Sequence, residues 1–452
     1  MSAGNSRRRL LVAGLVAGLA IGAAVGATSL TGASSEGPQG APPVILHVAR
    51  VLADPGVDLE LMAGLACPGG PLDACAVDSA VAHVLSSGST GWTDVDGTPD
   101  GRGFRFVVPG ASVAEDGLSY WLEFAIGGGG HVTFPEGGAA SAFHVVTTAG
   151  LPEVEWPGGF DFAALRASDD VVAQLRYGDD TSQVGRVGGV GDEQPLGPSS
   201  FDVAPDGSIH VADWVHRRLL VLSPRGAYRR TVPLPVARPV DVAVGASGEL
   251  AVTTLGLGAT AFELGVDGRV IGRYGVGTGV AERIALTPGG PHVWVGPAQW
   301  APVRSRVGVA LPTEAQSRGL ASAVPGRDGT VALSQDLADG RVAFVWARPD
   351  GSRAGAVLRL PSGVQPGVDY FVRGLPDGGA IAARGLWSEM GEAVALLRFT
   401  SGGGLASAEL IAPPTHEMDA AASALRFRAP DEVLAVFADE HGIRFERFEV
   451  EG

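Results

Sequence analysis

The chain has 452 residues, 49 of them Asp or Glu and 33 basic, giving a formal charge of −16 and a pI near 5.0. All 33 basic residues are Arg and the one Asn is Asn5, which excludes mechanisms that need a primary amine: a Walker lysine, a Schiff base, a pyridoxal attachment. So acidic a chain also argues against nucleic acid as a partner, while 45% hydrophobic residues at this length can fill more than one core.

Residues 1–30 read as an export signal or membrane anchor, and 31–41 as a flexible linker. Arg7-Arg8-Arg9 precede an apolar run from Leu10 to Ala27, and a small, polar stretch follows from Thr28 to Gln39. Val25-Gly26-Ala27 is an acceptable cleavage site, and Ser6-Arg7-Arg8-Arg9-Leu10-Leu11 resembles a twin-arginine signal with leucine in place of the usual phenylalanine. About 18 apolar residues would also span a bilayer, so membrane contact is expected only through an uncleaved segment. Gly14, Gly18, Gly22 and Gly26 form a small-residue stripe that composition alone would also produce. Either fate puts the rest of the chain outside the cytoplasm. Cys67 and Cys75 bracket a Pro-Gly-rich turn, and in an exported chain that pair reads as one local disulfide.

From 42 to 148 the pattern is short strands between Gly and Pro turns, with no helical period. That suits an immunoglobulin-like β-sandwich. The stretch Val108-Pro109-Gly110, Gly117 to Trp121, Gly130-His131 and Pro135 resembles the last strands of bacterial fibronectin-type-III domains, which implies a spacer or adhesion module. Asp94, Asp96 and Asp100 surround a glycine turn at spacings that calcium loops use. They lack the bidentate glutamate, and Asp-Gly is also an ordinary hairpin turn. Residues 149–168 read as a linker.

The body, 169–452, repeats. Gly197 to Gly226 runs through a strand, an Asp206-Gly207 turn, an apolar strand ending in Ala212-Asp213, a basic turn and a third strand. This unit resembles an NHL repeat. Further first turns fall at Ser247-Gly248, Gly289-Gly290, Asp328-Gly329 and Asp377-Gly378, with glycine spacings of 41, 42, 39 and 49 residues. Such a period is expected of four-stranded propeller blades. Second turns are expected at Gly226, Gly268, Gly351 and Gly402, and the third unit lacks one. The last unit supplies three strands, and Val171 to Tyr177 is free to complete it, hiding both open edges. The expected fold is therefore all-β: the sandwich, then a six-bladed β-propeller closed by an N-terminal strand.

On that template a ligand-binding rim gathers Asp213, Trp214 and His216 from the first blade with Asp439, Glu440 and His441 from the last. Gln299-Trp300, Gln335-Asp336 and Trp387-Ser388-Glu389 take equivalent loop positions. Two imidazoles and three carboxylates would suit a divalent metal or acid–base chemistry, and the three tryptophans a peptide or sugar. The plain alternatives are a solvated rim, an aspartate holding its own turn, and packing between blades. No nucleophile elbow or His-Glu-x-x-His pair is present, and no catalytic residue or resident cofactor is assigned. Two functions stay open. The favoured one is extracytoplasmic recognition of a protein, peptide or glycan; the other is a metal-dependent lyase or lactonase-like hydrolase. The resemblance implies a histidine cluster for the lyases and a carboxylate–asparagine metal centre for the lactonases, and this chain matches neither.

Overall fold

The computed structural model describes residues 44–47, 49–66, 76–101, 103–127, 130–135, 137–158, 160–188, 196–236, 238–254, 260–275, 281–295, 299–302, 324–414 and 424–451. The export segment, the linker 31–41 and both cysteines lie outside them. The described chain is all-β, with 3-10 turns as its helical pieces.

Two sheets form the N-terminal part. One has the order Val44–His47, Leu59–Ala66, Gly103–Val108, Thr98–Asp100. The other runs Leu52–Ala53, Phe143–Thr147, Leu118–Ile126, Val77–Ser86, Thr93–Asp96, with Gly130–Phe134 also paired to Leu118–Ile126. Val44–His47 and Leu52–Ala53 lie in different sheets, so the chain crosses between the sheets after His47. Inward alternation does the rest: Leu118, Tyr120, Leu122 and Phe124 are all buried, and Phe106 and Leu61 meet them from the facing sheet. Each such side chain contributes roughly 1.5–3 kcal/mol by leaving water.

Six further sheets follow, numbered here I to VI. Sheet I holds Ser200–Val203, Ile209–Asp213, Arg218–Leu222 and Tyr228–Pro233. Sheet II holds Pro239–Val244, Leu250–Thr254, Thr260–Leu264 and Val270–Gly275. Sheet III has three described strands, Ala281–Thr287, Gly290–Val295 and Gln299–Pro302, and residues 303–323 beyond them lie outside the described set. Sheet IV has Val324–Pro325, Val331–Asp336, Arg341–Ala347 and Arg353–Arg359; sheet V has Gln365–Gly374, Ala380–Ser388, Gly391–Phe399 and Leu405–Ile411. Sheet VI has Leu425–Ala429, Glu432–Ala438 and Gly442–Glu449, and its fourth strand is Asp170–Arg176, paired antiparallel to Gly442–Glu449.

The first strands touch in cyclic order, I on II, II on III, III on IV, IV on V, V on VI, and VI back on I. Period-two alternation explains why. In sheet I, Phe201, Val203, Val211, Leu220 and Leu222 face Leu434, Val436, Ile443 and Phe445 of sheet VI. The intervening Ala212, Leu219 and Val221 face Val242, Val244, Leu250 and Val252 of sheet II. Middle strands buried on both faces read as continuous apolar runs such as Leu219-Leu220-Val221-Leu222. The first turns reverse on Gly207, Gly248, Gly290, Gly329 and Gly378, all with φ between 78° and 99°. In sheet V the left-handed residue of the second turn is Gly403 rather than the expected Gly402.

The segment 149–168, expected to be a linker, is built into the fold. Glu153–Glu155 adds to sheet IV as a parallel strand beside Arg353–Arg359. Trp156, Phe160, Phe162 and Leu165 then pack on the core shared by sheets IV and V. Ahead of it the sandwich docks on sheet IV: the Gln335 side-chain oxygen accepts from Val51 N and Leu52 N, its amide donates to Leu52 O, and Arg341 pairs with Asp54 at 2.6 Å.

Candidate functional site

The connections between second and third strands of successive sheets share one end of the ring, because each sheet is an up-and-down meander. Four of the five groups expected on the rim lie at that end. Asp213 ends the strand Ile209–Asp213, Trp214 and His216 sit in the turn after it, Trp387 lies at the close of Ala380–Ser388, and Asp439, Glu440 and His441 form the turn before Gly442–Glu449. Gln299 and Trp300 are instead on the strand Gln299–Pro302, with Trp300 opposite Trp294. The loop placement of Trp300 is therefore corrected: sheet III carries its third strand there. Gln335 is taken by the sandwich, as described above.

Asp213 is fully buried and serves its own neighbourhood. One carboxylate oxygen accepts from His216 Nδ1 at 2.7 Å and Arg218 Nε at 2.9 Å; the other accepts from Gly185 N at 3.1 Å and His216 N at 3.4 Å. Arg218 goes on to the carbonyls of Asp180 and Gln183, and His216 Nε2 faces Asp179 at 3.2 Å. This is a hub that pins the segment 178–187 between sheets I and VI. The same segment reaches sheet VI through Arg186 Nη1, which donates to Glu440 O at 3.5 Å, beside Tyr177 N, which donates to His441 O at 3.1 Å. So it lies between the two halves of the expected site. Among the described residues no group of three or more His, Cys, Asp or Glu side chains is placed to hold a metal ion.

Asp439 makes a side-chain turn, accepting from His441 N and Gly442 N, and the His441 amide is the main reason its carboxyl sits below the ordinary range. Glu440 and His441 point outward, with side chains 81% and 78% exposed. Trp214 is partly covered: its Nε1 donates to Gly197 O at 2.6 Å, and Arg238 lies 5.7 Å from its ring centre. Trp387 is open and Met390, three residues on, is 84% exposed.

The three aspartates of the sandwich do not converge. Asp94 and Asp96 are on Thr93–Asp96 in one sheet and Asp100 on Thr98–Asp100 in the other, all exposed. Asp94 accepts from His83 Nδ1 at 2.7 Å, and that imidazole stacks 3.9 Å from the Trp121 ring. The expected calcium loop is thus a surface pair beside a sheet crossing.

A second site lies at the opposite end of the ring, where the first turns gather. A cavity of about 120 Å³ is lined from the first strands of sheets I, II, III, V and VI and from the first turn and second strand of sheet IV, and its polar lining is Asp202, Asp241, Arg283, Arg327, Arg373, Arg426 and Thr330. Ionic struts cross it. Arg327 of sheet IV meets Asp202 of sheet I at 2.5 Å; Arg426 of sheet VI meets Asp241 of sheet II at 2.9 Å and donates to Phe201 O; Arg283 of sheet III donates to Tyr370 O of sheet V. Both carboxylates also accept backbone N–H groups, Asp202 from Val203 and Val244, Asp241 from Ile284. Burial pushes the Asp202 carboxyl up, but Arg327, Arg426 and those amides outweigh it and hold it below the usual range. At Asp241 burial prevails and the carboxyl is raised.

This cavity has no sequence signature of its own, because its residues share no local motif. The available signal was a charge set inside an apolar first strand, in Phe201-Asp202-Val203, Val240-Asp241-Val242, Phe371-Val372-Arg373 and Leu425-Arg426-Phe427.

No family model matches the chain, and no curated protein does. Solved structures to which it is similar include Kuenenia stuttgartiensis hydrazine synthase, at 13% identity over 54% of this chain and 77% of that one with a TM-score of 0.33. Another is a protein of unknown function from Bacteroides thetaiotaomicron, at 11% identity over 91% and 99% with a TM-score of 0.33. The WD40 domain of Neurospora crassa Pan2 is similar at 9% identity over 61% and 88%, again with a TM-score of 0.33.

Proposed function

We propose that this chain is an exported recognition protein: a six-bladed NHL-type β-propeller, closed by Asp170–Arg176, that carries an immunoglobulin-like sandwich and binds a polypeptide through its rim. The Arg-led apolar segment supports export, cleaved or retained as an anchor, and the Cys67–Cys75 pair suits an oxidising compartment. The cyclic contacts of the six sheets support the propeller reading. The two packed sheets of 42–148 support the sandwich.

The observation that carries the binding role is the tip between sheets V and VI. Trp387 and Met390 are exposed there, as are Glu389 and Glu392 beside them in sheet V and Asp439 and Glu440 in the corresponding turn of sheet VI. An open aromatic beside a flexible thioether, within an acidic surround, fits a segment with an apolar anchor and basic flanks. The enzymatic alternative draws less support, because Asp213, its central carboxylate, already accepts four hydrogen bonds from the fold.

An array of extended peptides that vary an apolar anchor and its flanking charge tests this reading. Binding is expected for Arg- or Lys-flanked anchors, with a loss of at least tenfold in the double variant Trp387→Ala, Met390→Ala. Equal binding by the double variant, or a preference for acidic flanks, overturns it. Intact mass of the secreted product reads out export and cleavage.

A further inference from the structure

The charges lining the ring cavity do not balance. Four guanidiniums, of Arg283, Arg327, Arg373 and Arg426, face two carboxylates, of Asp202 and Asp241. Both carboxylates are engaged by Arg327, Arg426 and backbone amides. Arg373 is the residue left over. Among the described residues no carboxylate lies within ion-pair distance of it, and its guanidinium rests 4.4 Å from the centre of the Phe427 ring. Burial, with repulsion from Arg327, lowers its hold on its proton against the pull of Asp328 and Asp202.

We propose that this cavity is a binding site for a small free oxyanion, of the size of phosphate, sulfate or a short dicarboxylate, with Arg373 as its principal donor and Arg327 and Thr330 beside it. A desolvated cation with no carboxylate in direct contact is costly, and an oxyanion supplies both the charge and acceptors for the guanidinium fork. The volume suits such a ligand: about 120 Å³ holds several water molecules or one compact anion. Four lining guanidiniums against two lining carboxylates, in a chain of net charge −16, favour anions that the rest of the surface repels. The site lies at the end of the ring opposite the Trp387 tip and stands whether or not that tip binds a peptide.

Thermal unfolding of the full chain should be followed at constant ionic strength while chloride is exchanged for inorganic phosphate, sulfate or malonate, with calorimetry to read stoichiometry. The wild type is expected to show a saturable rise in Tm with at least one of the three and one site per chain. Arg373→Gln is expected to weaken that midpoint at least tenfold. Without the anion, Arg373→Gln should unfold at the same temperature as the wild type or above it, since an unpaired cation has been removed. A merely structural arginine would not behave so. Arg373→Lys, which keeps the charge but loses the fork, should retain part of the response and covers the case in which the glutamine variant fails to fold. A rise no larger than that given by chloride, or an unaltered midpoint in both variants, overturns the proposal.

Discussion

The two ends of the ring use the same residue types to opposite effect. At the end that carries the connections between second and third strands, Asp213, His216 and Arg218 close on one another and on the backbone of 178–187, so their polarity is directed inward to hold sheets VI and I together. At the first-turn end, Asp202 and Asp241 are likewise tied down, yet the arginines that face them outnumber them. A satisfied polar cluster stabilises and specifies a fold; an unbalanced one carries a surplus of one sign.

The sharpest way to break this comparison is to cut one strut at each end. Arg426→Ala removes the cation paired with Asp241, which is 1% exposed, and Asp213→Ala removes the carboxylate paired with Arg218. Each is expected to cost about 3–5 kcal/mol in denaturant unfolding, the cost of leaving one member of a buried pair alone. Losses below about 1 kcal/mol would mean that the struts are slack.

Acid is the next probe. Burial, the largest cause at both sites, lowers His47 and His210 from 6.5 to about 4. His47 donates to Met62 O and meets Tyr120 Oη at 2.8 Å within the sandwich; His210 lies opposite Asp202 beside the cavity. The unfolded chain takes up these protons first, so their contribution is complete above pH 6.5. It should fall by about 1.4 kcal/mol per histidine for each pH unit between roughly 6.5 and 4. Calorimetry at pH 7 and 5 reads the loss. His47→Gln should lower the pH slope of the sandwich transition, and His210→Gln that of the ring; unchanged slopes would show these imidazoles to be charged in the folded state.

The smallest effect belongs to the outermost rim. His441→Ala removes a side chain that is 78% exposed, and its stability should stay within about 0.5 kcal/mol of the wild type. A larger loss would show that the end of sheet VI is held by more than its backbone.

These contrasts also show what the sequence disclosed. The first-turn glycines, the Ala212-Asp213 strand end and the closing segment were legible because each is a local pattern: a turn residue, an alternation, an unpaired edge. The cavity was not. Asp202, Asp241, Arg283, Arg327, Arg373 and Arg426 come from six sheets and converge only when the ring forms. The docking of the sandwich through Gln335 and the parallel strand Glu153–Glu155 depended likewise on partners about 200 residues or more away along the chain. The rim histidines show the converse: shared topology put His216 and His441 at one end, but the segment 178–187, on which the sequence carries no motif, lies between them.

Everything at both ends rests on the pairing of Asp170–Arg176 with Gly442–Glu449, in which Gln174 stands opposite Arg444. Cysteines placed at those two positions and oxidised should give one cross-link joining the two segments, seen as a single linked peptide after digestion, with an unfolding temperature at or above that of the reduced form. If those cysteines stay unlinked while a pair shifted by two residues joins readily, the strand closes the ring in another register or not at all, and the cavity lining drawn from six sheets fails with it.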